Sequence, residues 1–145
     1  MLNKIPKIIT PELLYALARM GHGDEIVIAD GNFPGESIAA SSGAVLVRCD
    51  GVGVPELMRA ILEVMPLDSY DDNMMLMNKM ATDADLEIPI WKEYEAIAKE
   101  NTDKAPVFLE RFDFYDRAKK AFCIVVTGES AIYANVILKK GVVKQ

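Results

Sequence analysis

The stretch Met20-Gly21-His22-Gly23-Asp24-Glu25-Ile26-Val27-Ile28-Ala29-Asp30 limits the folds open to this chain more than any other. Just upstream, Thr10-Pro11-Glu12 has the make-up of a helix start: a hydroxyl for the unpaired first-turn amides, a proline suited to the first helical position, and a carboxylate at the positive end of the dipole. Leu13, Leu14, Leu17 and Met20 then share one helical face, and Gly21 stops the run. Glu25 to Ala29 is short, apolar and rich in β-branched residues, as a buried strand is. The sequence therefore predicts helix, tight turn and strand, with His22 in the turn and Asp30 at the far end of the strand.

Downstream, Gly31-Asn32-Phe33-Pro34-Gly35 reads as loop, and the small-residue stretch Ser37 to Gly43 as its continuation. Ala44 to Cys49 predicts a second strand, and Pro55 opens a helix with Leu57, Ile61, Leu62 and Met65 on its apolar face. Asp68 to Asn73 is polar and turn-like, and Met74 to Met77 predicts a core or interface strand, because flexible thioethers fill gaps readily. Ile88 to Lys99 predicts an amphipathic helix carrying Trp91 and Tyr94, with Asp83, Asp85 and Glu87 as its solvated approach. Val107 to Glu110 and Phe122 to Thr127 read as strands flanking Arg111 to Ala118, a short helix or turn, and Val136 to Lys139 closes as a final strand. Strands and helices interleaved in this way predict an α/β protein, a mixed sheet flanked by helices, in a single domain over residues 1–145.

Composition narrows the function. The net charge is −6, with acidic residues spread along the chain, which argues against a nucleic-acid partner. No apolar run approaches the ~20 residues that span a bilayer, no signal-peptide order opens the chain, and the cytoplasm is the expected location. Cys49 and Cys123 both fall in strand-like apolar runs and read as buried thiols in a reducing compartment. Apolar residues without Gly reach 51%, above the ~45–50% that soluble domains show with Gly included, so association into a homo-oligomer is the expected outlet.

The candidate chemistry is sparse. His22 is the only histidine, and imidazole is the side chain whose ordinary pKa lies nearest neutrality, so proton transfer has one obvious candidate. A histidine between two glycines, taken alone, fits a plain helix-ending turn more readily than a catalytic role. One His and two separated cysteines supply no metal-ligand set, so no metal is expected. Gly51-Val52-Gly53-Val54-Pro55-Glu56 sits between strand and helix, but a carboxylate at the third glycine position opposes a pyrophosphate and leaves an ordinary turn. His22, Asp30, Arg111, Tyr133 and Asn135 together form the polar inventory a sugar site uses, although spacing alone does not bring them together.

Met20 to Glu25, Ala29-Asp30 and Asn32-Phe33-Pro34 resemble the L-fucose mutarotase family, which shares a superfamily with the ribose pyranases. The resemblance resumes at Asp50-Gly51, Leu67-Asp68-Ser69-Tyr70, Arg111-Phe112, Phe114-Tyr115, Lys120-Ala121-Phe122, Thr127-Gly128-Glu129 and Tyr133-Ala134-Asn135 to Lys139-Lys140-Gly141, in order over nearly the whole chain. It implies a three-layer α/β/α, ribose-pyranase-like fold with a mixed central sheet, assembled into a ring, usually a decamer. It further implies interconversion of the α and β anomers of L-fucose without cofactor, with His22 as acid/base and Asp30, Arg111, Tyr133, Ala134 and Asn135 binding the sugar. Tyr133 and Asn135 would reach a neighbouring subunit's pocket. Arg111 in Arg-Phe-x-Phe-Tyr favours fucose over ribose, whereas Ala134 is the residue of ribose-type members. The alternatives are a D-ribose pyranase and a non-catalytic monosaccharide-binding regulatory protein.

Overall fold

The computed structural model describes residues 1–145. Its centre is a six-stranded sheet in the order β2-β5-β1-β6-β3-β4. The strands are β1 (Glu25–Ala29), β2 (Val45–Cys49), β3 (Met74–Met77), β4 (Val107–Leu109), β5 (Cys123–Thr127) and β6 (Val136–Lys139). β1 runs parallel to β5, β5 to β2 and β3 to β4, while β6 lies antiparallel between β1 and β3. The β1–β6 register runs from Glu25 opposite Lys139 to Ile28 opposite Val136. The sheet is thus mixed, with β6 as the one reversed strand.

Period-two alternation divides the core between the two faces. Ile26 and Ile28 of β1, with Met74 and Leu76 of β3, point to one side, where they pack with helices α1 (Pro11–Arg19), α3 (Val54–Val64) and α4 (Ile90–Asn101). Val27, Ala29, Met75 and Met77 point to the other, against α2 (Gly35–Ser42) and α5 (Arg111–Ala118). The result is the three-layer α/β/α arrangement. The methionine run is an interior strand, buried at all four positions.

The predicted start of α1 is realised: Thr10 Oγ1 accepts from Leu13 N–H at 3.2 Å and Pro11 opens the helix. One expectation fails. Of residues 37–43, read as loop, 37–42 belong to α2, which begins at Gly35 and is capped by Gly43 with φ +79°. Its small residues serve close approach to the sheet, since a Cβ at Gly35 would lie 2.6 Å from a Val126 methyl. Only Ile38 and Ala39 beyond Gly35 are buried, too few to produce an apolar stripe in sequence. The turn expected at Gly51-Val52-Gly53 is an ordinary one, because Glu129 fills the start of α3, its Oε1 accepting from Val54 N–H at 3.0 Å.

Gly141 marks where two loops meet at the edge of the sheet from which β1 starts. A Cβ there would lie 2.4 Å from the Leu67 carbonyl oxygen and 2.9 Å from Asp68 N. Backbone cannot yield as a side-chain tip does, so Gly141→Ala is expected to destabilise the fold by about 1–3 kcal/mol. Urea unfolding measures it, and an unchanged midpoint would show that the two loops move apart freely. No helix is long and apolar enough to cross a membrane.

Candidate active site

Four of the expected site residues, Tyr133 and Asn135 included, meet within one chain rather than across a subunit boundary, at the C-terminal edge of the parallel strands, where open α/β sheets place their ligands. The cavity there, about 270 Å³, is bounded by Asp30 after β1, Met77 at the end of β3, Arg111 at the start of α5, and Tyr133 and Asn135 ahead of β6. Its volume lies just under the ~300 Å³ at which small-molecule pockets begin. It suits one small polar ligand.

Asp30 is buried, at 4% exposure, with Oδ1 accepting from Asn32 N–H at 3.0 Å and Oδ2 from Ala134 N–H at 3.4 Å. Burial pushes its pKa up, and the backbone N–H groups of Asn32, Ala134 and Phe33 only partly oppose that. The Asn135 side-chain oxygen Oδ1 accepts from Asp30 N–H at 2.7 Å, which commits that oxygen and leaves the amide NH₂ to donate. Arg111 takes part in none of the chain's ion pairs and stacks near Phe112 and Tyr115, its guanidinium carbon 5.7 and 5.5 Å from their ring centres. A cation left without a carboxylate partner beside a cavity is available to sugar hydroxyls.

The Tyr133-Ala134 backbone is held from α4. Trp91 Nε1–H donates to the Tyr133 carbonyl at 2.8 Å and the Tyr94 hydroxyl to the Ala134 carbonyl at 2.6 Å. Tyr133 has φ +53°, a left-handed conformation uncommon outside Gly, and these two bonds fix it there. Ala134, expected among the sugar contacts, is fully buried and does not line the cavity; its N–H donates to Asp30, which does.

His22 lies elsewhere. Its turn precedes β1, at the opposite edge of the sheet from Asp30, and a five-residue strand separates the two. At ~3.3 Å per residue that strand is ~17 Å long, far beyond the ~3 Å reach of proton transfer to one bound sugar. Gly23 adopts φ +87° and donates its N–H to the Lys140 carbonyl at 2.9 Å, while the Lys140 ammonium binds the Leu17 and Met20 carbonyls at the C-terminus of α1. The turn is therefore fastened on both sides.

His22 Nε2 lies 2.9 Å from Oδ1 of Asp68, a residue to which sequence reasoning assigned no role. Asp68 is buried, at 3% exposure, and its Oδ2 accepts from Asp71 N–H at 3.1 Å. Burial pushes the Asp68 pKa up, but the His22 bond and the Tyr70 and Asp71 N–H groups outweigh it and hold the carboxyl below its ordinary value. An ionised carboxylate only accepts, so Nε2 carries the hydrogen and Nδ1 is the end of the ring free for chemistry. Asp83, expected to be solvated, instead turns into the cavity wall and accepts from the Tyr133 hydroxyl at 2.5 Å. No group of three or more His, Cys, Asp or Glu side chains is placed to hold a metal ion.

The family described as the RbsD / FucU transport protein family matches residues 3–143. A fucose mutarotase from Mus musculus is 52% identical over 144 residues, covering 97% of this chain and 94% of the relative. The solved structure of FucU from Bifidobacterium longum superposes with a TM-score of 0.92 at 51% identity, covering 98% of this chain and all of that one. The fucose mutarotase of Streptococcus pneumoniae, solved in complex with L-fucose, gives 0.90 at 49% identity, covering 99% of this chain and 100% of that one.

Proposed function

This chain belongs to the RbsD / FucU transport protein family, and from that premise we propose that it is an L-fucose mutarotase, an isomerase that interconverts the α and β anomers of the free sugar. The observation that carries the reading is the pocket. A buried carboxylate, an unpaired guanidinium, a phenol and an amide converge on one cavity in a chain about half identical to a protein solved with L-fucose.

Mutarotation needs little beyond proton traffic. The anomeric hydroxyl loses its proton, its electrons form the carbonyl, the bond from C1 to the ring oxygen breaks, and that oxygen takes up a proton. After rotation about C1–C2, the same steps run backwards on the other face of the aldehyde. No electrons leave the sugar, so no redox cofactor is called for. His22 moves one of the two protons through Nδ1, and Asp30, Arg111 and Asn135 hold the other hydroxyl groups.

Because His22 and the pocket occupy opposite edges of the sheet, the reading requires that a second copy of this chain bring its His22 to the pocket. Exposed apolar groups mark both edges: Tyr70 beside His22, and Ile132 in the pocket wall with Phe112 against Arg111. An interface joining two unlike edges is heterologous, and where its rotation closes it builds a ring; on family grounds that homo-oligomer is a decamer. The two free, buried cysteines suit the reducing cytoplasm.

Magnetisation-transfer NMR on L-fucose tests the activity, with D-ribose measured in parallel. Faster exchange for fucose than for ribose is expected, and a clear ribose preference would overturn the substrate assignment. Binding of fucose without faster exchange would instead favour a non-catalytic sugar-binding protein. Asp30→Asn keeps the shape of the pocket but removes a charged acceptor, whose hydrogen bonds contribute about 1.5–3 kcal/mol. The Kd for fucose should rise by roughly 10- to 150-fold. Unchanged affinity in a calorimetric titration would take Asp30 out of the sugar contacts.

A further inference from the structure

The segment between β3 and α4 is tied down at several points next to the pocket. Asn78 N–H donates to the Leu109 carbonyl at 2.8 Å, Lys79 Nζ binds the carbonyls of Ala84 and Leu86 at 3.0 and 2.7 Å, and a single 3₁₀ turn spans Ala81–Asp83. This bracing aims Asp83 at Tyr133. The phenol donates its only hydrogen to Asp83 Oδ2, and its oxygen accepts from Met80 N–H at 3.2 Å.

A phenolic hydroxyl has one hydrogen and two lone pairs. With the hydrogen committed to Asp83 and one lone pair to Met80, what Tyr133 can offer the cavity is a lone pair. A sugar hydroxyl that reaches it must therefore donate.

We infer that Asp83 is a positioning residue that makes Tyr133 a proton acceptor toward the sugar and receives the phenol's own proton in the same step. The inference rests on the mutarotase reading and supplies its second proton carrier. As the anomeric O–H bond breaks, its proton passes to the Tyr133 oxygen and the Tyr133 hydrogen passes to the Asp83 carboxylate. The electron pair left on the anomeric oxygen forms the C=O bond, the bond from C1 to the ring oxygen breaks, and protonated His22 of the neighbouring copy gives that oxygen a proton. Closure on the other face returns one proton from Asp83 through Tyr133 and one to His22, so both groups end as they began. The Asp83 hydrogen bond also pushes the Tyr133 pKa above its usual range, against the opposing Met80 N–H and Arg111 charge. The phenol thus works as a protonated relay with the carboxylate as the terminal acceptor.

Two variants read the role. Asp83→Asn retains an oxygen to hold the phenol but takes up no proton, and fucose exchange should fall about 10²-fold or more while the fucose Kd stays within about twofold. Asp83→Ala should recover part of its rate as acetate is added, because a free carboxylate fits the space vacated, whereas Tyr133→Phe should gain nothing. Wild-type exchange in Asp83→Asn, or a rate loss matched by affinity loss with no acetate rescue, would overturn the relay while leaving the mutarotase reading intact. A wild-type protein that does not speed exchange would overturn both.

Discussion

Replacing His22 by alanine is expected to slow fucose anomer exchange by about 10²–10⁴-fold, the span of a positioned general acid/base, with the fold retained. The side chain is 48% exposed in a turn held by backbone bonds that do not involve the imidazole, so little packing is lost. Asp68→Asn should cost a similar factor by a different route. An amide can present its NH₂ to Nε2, which leaves the one hydrogen of a neutral ring on Nδ1, and a neutral imidazole is a far weaker donor to the sugar's ring oxygen than an imidazolium. A positioning role predicts that kcat falls while fucose affinity is held, and loss of affinity alone would make Asp68 a binding residue instead. Wild-type exchange in His22→Ala would remove the imidazole from the mechanism.

Periodicity located β1 and β6 at their observed limits and α1 with its cap, because burial of one face imposes a pattern on consecutive residues. It missed α2, whose small residues meet the demand of close approach to β5 and leave no apolar stripe. The site was legible as residue types only. Asp68 sits in a polar run that any turn could contain, and its partner is 46 positions away. Asp83 resembles a helix approach, yet its carboxylate belongs to a tyrosine 50 positions later. Such pairings depend on which loops the sheet order brings together, with β6 inserted between β1 and β3, and no window along the chain encodes that order. Trp91 and Tyr94 were readable as an inner helix face, but their bonds to the Tyr133 and Ala134 carbonyls were not.

The separation of His22 from the pocket yields the sharpest test. If each site combines His22 of one copy with Tyr133 of the next, then His22→Ala and Tyr133→Phe are defective in different halves of the same site. In a randomly mixed assembly of equal parts, half of the pockets belong to the His22→Ala chain and keep Tyr133. Half of the imidazoles facing those pockets come from the Tyr133→Phe chain, so about a quarter of all sites are intact. Co-assembled protein should therefore recover about a quarter of the wild-type exchange rate from two nearly inactive parents. The subunits must be dissociated and reassembled, and mass spectrometry of differently tagged chains must confirm that the assemblies are mixed. Activity no higher than that of either parent in verified mixed assemblies would sink the shared site. His22 would then be too far from the sugar to act on it, and the proton traffic would fall to groups within one pocket, Tyr133 with Asp83 foremost among them.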